Sequence, residues 1–116
     1  MKADVASWQE QLDMFKAAQK QYGNIDHVFA NAGIGPSMTL LEDDVDEHGD
    51  LLPPKEDTLN VNFIGCLYTV KLAIHYLKKN PKGGSVVITA SGSSFSRFPG
   101  ADYSTFSPTV NHSTPC

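Results

Sequence analysis

Four polar signals stand in order along this chain: the tripeptide Asn31-Ala32-Gly33, then Asn62, Ser91 and Tyr103. The last three are residue types that handle protons and oxygen atoms. A Tyr hydroxyl can give or take a proton, but an unperturbed pKa of about 10 makes it a poor base at neutral pH unless a neighbouring cation favours the phenolate. A Ser hydroxyl can hold an oxygen by a hydrogen bond, and an Asn amide can hold a water. Together they suit proton transfer at a single oxygen, provided that all three converge on it. Asn-Ala-Gly by itself is a turn signal. Its weight comes from the company it keeps.

The elements that must position these residues follow from pattern. Ser7-Trp8-Gln9-Glu10 matches a capping box, in which Ser7 and Glu10 satisfy each other's orphan amides. Trp8, Leu12, Phe15, Ala18 and Tyr22 recur at helical spacing and Gly23 supplies a stop, which predicts a helix over residues 8–22. Residues 25–30 read as a buried strand that ends in the Asn31 turn. Residues 34–55 are acidic and proline-bearing, and are expected to be loop. Between Glu56 and Lys79 a second helix carries Leu59, Phe63, Leu67, Val70, Ile74 and Leu77 on one stripe, with Ile64, Ala73 and Tyr76 widening it. Asn80 to Gly84 breaks that helix. Ser85 to Thr89 is an unalternated apolar run of the kind found in buried parallel sheets. Strand, helix and strand make a βαβ unit with parallel strands.

With these residues on these elements, the sequence resembles the short-chain dehydrogenase/reductase family over roughly residues 4–104. The resemblance implies an α/β fold, a partial Rossmann-type doubly wound parallel sheet with a βαβ core and flanking helices, truncated at both ends. It implies an NAD(P)-dependent oxidoreductase that moves a hydride between an alcohol or ketone and NAD or NADP. Asn62, Ser91 and Tyr103 match three of the family's four catalytic positions, Ser91 being preferred to Ser93. Asn31, Ala32 and Gly33 match the turn that supports the cofactor pocket. Asp4, with Val5, matches the Asp-Val whose carboxylate meets the adenine ring. The helix over 56–79 resembles one through which family members dimerise, so a homo-oligomer, or a non-catalytic protein that associates or binds cofactor through this remnant, is the alternative expectation.

Departures from the family pattern bear on activity. The cation expected four residues after the tyrosine is replaced by Ser107, Pro108 follows it, and no Lys or Arg occurs after Tyr103. The Gly-rich turn that would seat a pyrophosphate has no place before Asp4. Residues 1–104 are therefore expected to be the central part of a cofactor-binding domain. Residues 105–116, rich in Ser, Thr and Pro, are expected to be a divergent, disordered tail. The chain is expected to lack turnover on its own.

Composition excludes other classes. At 116 residues, 41% hydrophobic and 19% charged, the chain suits one domain of soluble globular type. A net charge of −4 leaves no basic face for nucleic acid, and Lys78, Lys79 and Lys82 cluster where a helix dipole favours cations. No apolar run is long enough for a membrane span, and the first residues do not resemble a secretory signal, so a cytoplasmic location is expected. No metal site is expected. Asp44 to Lys55 begins like a calcium loop but carries Lys55 where a bidentate Glu is needed, and His27, His48, His75 and His112 share no ligand spacing. Cys66 is expected to be a small core residue, and the sequon at Asn111 is expected to be chance.

Overall fold

Ser7 starts the first helix. Its side chain accepts the Glu10 amide at 3.4 Å, and α1 then runs from Trp8–Tyr22 to Gly23, whose φ of 84° and N–H bond to the Gln19 carbonyl close it. The reciprocal half of the expected capping box is absent. Glu10 instead accepts the amide of Asp4 at 2.8 Å, because the Ser7 amide is already given to the Asp4 carbonyl in a turn. The computed structural model describes residues 1–37 and 42–92.

After α1 come strand β1 (His27–Ala30), a short helix α2 (Asp57–Leu59), a π-helical turn (Asn60–Gly65), helix α3 (Cys66–Leu77) and strand β2 (Ser85–Ile88). The two strands are parallel and in register, from His27 opposite Ser85 to Ala30 opposite Ile88. The βαβ expectation is met. One face of this sheet packs on α3 and α1. There Phe15, Leu72, Ala73, Tyr76 and Leu77 form the buried core, with Val28 and Val86 against it. Phe15 stacks on Tyr76 with ring centroids 5.3 Å apart. Each fully buried large apolar side chain in such a core contributes about 1.5–3 kcal/mol. The opposite sheet face carries Phe29 and Val87, cross-strand partners that are 68% and 44% exposed.

Two expectations need correction. Residues 34–55 are not wholly irregular: a tight hairpin bridges Val45 and Leu51, and Asp46 Oδ1 accepts the amides of His48 and Asp50 across its tip. That carboxylate, the third position of the calcium-loop look-alike, is spent on the hairpin. The second helix is not a uniform stripe either. Leu67, placed on the buried face by simple periodicity, is 54% exposed, while Leu72, Ala73, Tyr76 and Leu77 are buried. Leu67 and these buried residues share the regular α3, where 100° per residue puts Leu67 on the side away from Leu72, Ala73 and Tyr76.

Candidate active site

The chemistry-bearing residues gather at the C-terminal end of the parallel strands, because β1 delivers Asn31 there and β2 delivers Thr89 beside it. Thr89 Oγ1 donates to Asn31 Oδ1 at 2.8 Å, and the Thr89 amide donates to the Ala30 carbonyl at 3.0 Å. Asn31 thereby ties the two strand ends together just before the chain turns out of the sheet. Ser91 follows two residues after Thr89 and is half-buried.

Asn62 reaches the same turn from the π-helical segment. Its Oδ1 accepts the Ile34 amide at 2.8 Å and its Nδ2 donates to the Ile34 carbonyl at 2.9 Å. Both ends of one side chain thus clamp a single residue of backbone. An amide has two N–H donors and two acceptor lone pairs. Among the described residues one donor and one acceptor of Asn62 are used, and the other two are held in a fixed direction. Gly33 sits under this clamp: a Cβ there would stand 3.3 Å from Asn62 Oδ1, tighter than a side chain normally packs. A side chain at this position would push on the Asn62 amide, so glycine suits it through close approach and not through an unusual φ. Thr58, buried at the foot of the same helix, adds a further tie by donating to the Gly35 carbonyl at 3.2 Å.

The expected residues fare differently. Asn31, Gly33 and Asn62 are brought together, and Ser91 lies at the same end of the sheet. Ala32 is exposed in the turn between them. Asp4 lies at the entrance to α1, where its Oδ1 accepts the Ala6 amide at 2.9 Å and its carboxylate remains exposed. Tyr103, Ser107 and the 105–116 segment lie outside the described residues. Four participants escape a motif search: the Ile34 backbone, Thr89 Oγ1 and, beneath the π turn, the buried Gln11 with the half-buried Thr69. Only Gln11 leaves a sequence trace, as a polar residue inside the Trp8–Leu12–Phe15 stripe. Cys66, next to the π turn, is half-buried, and loss of hydration pushes its thiol pKa up.

The family model of short chain dehydrogenases matches residues 1–106. This chain belongs to the short-chain dehydrogenase/reductase family. It is 45% identical over 107 residues to the short-chain dehydrogenase/reductase ascJ of Acremonium egyptiacum, a match covering 90% of this chain and 36% of that protein. It is 33% identical over 110 residues to the L-rhamnose 1-dehydrogenase (NAD(P)(+)) of a Sphingomonas species, covering 94% of this chain and 39% of that one. Among solved structures, an alcohol dehydrogenase from the archaeon Thermococcus sibiricus, complexed with 5-hydroxy-NADP, is similar with a TM-score of 0.73 at 27% identity, over 93% of this chain and 43% of that chain. The chain thus spans less than half the length of each of these proteins.

Within the short-chain dehydrogenase/reductase family the observed architecture is the Rossmann-type α/β fold that the motifs imply, present here as two of its parallel strands with covering helices. In open parallel sheets of this kind ligands bind beyond the carboxyl ends of the strands. The Asn31–Thr89 tie and the Asn62–Ile34 clamp both lie at that end. No helix among the described residues is long and apolar enough to cross a membrane.

Proposed function

We propose that this chain is the central part of an NAD(P)-dependent oxidoreductase that moves a hydride between a nicotinamide and an alcohol or ketone carbon, with Asn62, Ser91 and Tyr103 around the substrate oxygen. The observation that carries the reading is the two-point clamp of Asn62 on Ile34, directly after Asn31-Ala32-Gly33. It fixes the remaining donor and acceptor of Asn62 at the strand ends, where a water or substrate oxygen would be met. Residues 31–35 are exposed and so accessible to a cofactor. A nicotinamide cofactor, when bound, supplies or accepts the hydride. The exposed Asp4 carboxylate is the group available to an adenine. The fit therefore covers part of the cofactor.

Turnover by this chain is not expected. A tyrosine without a neighbouring cation stays protonated at neutral pH, and Ser107 supplies no charge where the family pattern has a lysine. The proposed setting is the cytoplasm. The test is titration of the full chain with NADH and NADPH while nicotinamide fluorescence is followed, beside the Asn62→Ala variant. A change in the millimolar range that the variant loses is expected. No change with either cofactor would remove the reading.

A second reading is association through α3. Leu67 is 54% exposed, and beside it Tyr68 meets the partly exposed Trp8 edge-on at 5.3 Å. This apolar patch would suit a like helix from a second copy. Light scattering on the wild type and Leu67→Glu separates the readings: a dimer lost in the variant supports association, and a monomer in both sinks it.

A further inference from the structure

Gln11 is fully buried on α1, a helix whose inward face is otherwise apolar. Burying an amide costs free energy unless its groups are bonded, and here three bonds are made. Nε2 donates to the Val5 carbonyl at 2.6 Å and to the Gly65 carbonyl at 2.9 Å. Oε1 lies 2.8 Å from Thr69 Oγ1, which is also 2.9 Å from the Gly65 carbonyl. A hydroxyl has one hydrogen, so the two Thr69 bonds compete. Gln11 Nε2 already supplies the Gly65 carbonyl, and Oε1 has no other donor among the described bonds, so the hydroxyl hydrogen belongs to Gln11.

The residue so held is the last of the π-helical turn that carries Asn62. π turns are rare, and they persist where surrounding contacts over-determine them. Gly65 is pinned from two sides. Gln11, itself held by Thr69, grips its carbonyl, and Val5 crowds its Cα so closely that a Cβ would stand 3.0 Å from the Val5 carbonyl oxygen. Three residues before Gly65, Asn62 must meet both polar groups of Ile34 at once. A return of this turn to ordinary α geometry would rotate Asn62 about the helix axis, and both bonds cannot survive that rotation.

We infer that Gln11 is a positioning residue: through the Gly65 carbonyl it holds the π turn in register and so sets the placement of the Asn62 amide on Ile34. That Asn62 belongs to a catalytic site rests on the function proposed above. The latch between Gln11 and Asn62 does not, and it can be tested without cofactor or turnover. The experiment is amide hydrogen exchange by NMR on the full chain, with the Asn62 side-chain NH2 resonances as a second signal, in the wild type, Gln11→Leu and Thr69→Val. In Gln11→Leu, exchange at Ile34 is expected to rise about tenfold beyond any rise at the core amides of Ala73 and Leu77, with the Asn62 NH2 signals moving toward free-amide positions. Thr69→Val, which leaves Gln11 bonded to Gly65, is expected to move the same signals in the same direction by less. It also keeps the inference testable if Gln11→Leu does not fold. Ile34 exchange that rises only in step with the core, with unmoved Asn62 signals, would reduce Gln11 to a general packing residue and overturn the inference. A failed cofactor titration alongside a positive exchange result would remove the function and leave the latch.

Discussion

Thr89 Oγ1 and Asn31 Oδ1, separated by 58 residues in sequence and 2.8 Å in space, join the carboxyl ends of the two parallel strands. The bond is exposed, so its net worth is modest, about 0.5–1 kcal/mol. Thr89→Val keeps the shape and removes the hydroxyl. A double-mutant cycle with Asn31→Ala in urea denaturation is expected to give a coupling energy in that range. Coupling within error of zero would mean that the two side chains do not hold the strand ends together.

Gly84 precedes β2 at a point where the chain touches its neighbour backbone to backbone. A Cβ there would overlap the Asp26 carbonyl oxygen and stand 2.5 Å from Leu77 Cδ2. The same Asp26 carbonyl accepts the Ser85 amide at 3.0 Å, so displacing it would disturb the start of strand pairing. Gly84→Ala is expected to cost about 3 kcal/mol or more by overpacking. Alanine tolerated there with an unchanged denaturation midpoint would contradict the close approach.

Gln11→Glu turns a neutral latch into a titrating one. The new carboxyl would be buried against the Val5 and Gly65 carbonyls, and among the described residues only Thr69 Oγ1 donates there. Lost hydration and the facing carbonyl oxygens should raise its folded pKa above the unfolded value of about 4.3. Between the two values the folded state holds a proton that the unfolded state has lost, so stability falls as pH rises through that window. Denaturation midpoints of the variant are therefore expected to lie nearest the wild type in acid and to drop toward neutral pH. A gap between variant and wild type that does not change with pH would disprove the burial of this group.

Cys66 offers a pH dependence in the unaltered chain. Burial raises its thiol above the ordinary value of 9.0. The unfolded chain loses this proton first, so the contribution of Cys66 to stability is complete below that value and declines as pH rises toward the folded pKa. Since the thiolate is the nucleophile, alkylation of Cys66 by iodoacetamide at neutral pH, followed by peptide mass mapping, is expected to lag behind that of a free thiol. Equal rates would show the thiol to be solvated.

How much of this was legible in the sequence depends on the range of each interaction. The bounds of α1 were readable at Ser7 and Gly23 because caps act within one turn. Both strands, and their parallel pairing, followed from β-forming runs separated by a helix, although β1 proved shorter than the 25–30 span expected. The stripe through Leu67 failed because α3 carries apolar residues on several sides, and hydrophobic period alone does not say which side the rest of the fold will cover. The capping box was half right for a similar reason: Glu10 had a second suitor in the Asp4 amide.

The site divides along the same line. By its own residues, the sequence determined the family, the order of Asn31-Ala32-Gly33, Asn62, Ser91 and Tyr103, and the strand–helix–strand frame, since motif spacing and hydrophobic period are local properties of a chain. Tertiary structure alone decided how the amides are spent. Asn62 gives both ends of its side chain to Ile34, 28 residues away, and Gln11 gives its amide to Gly65, 54 residues away. Buried and clamped polar groups take whichever partners packing brings within hydrogen-bond reach, and the packing of α1 on α3 is not encoded in any one segment.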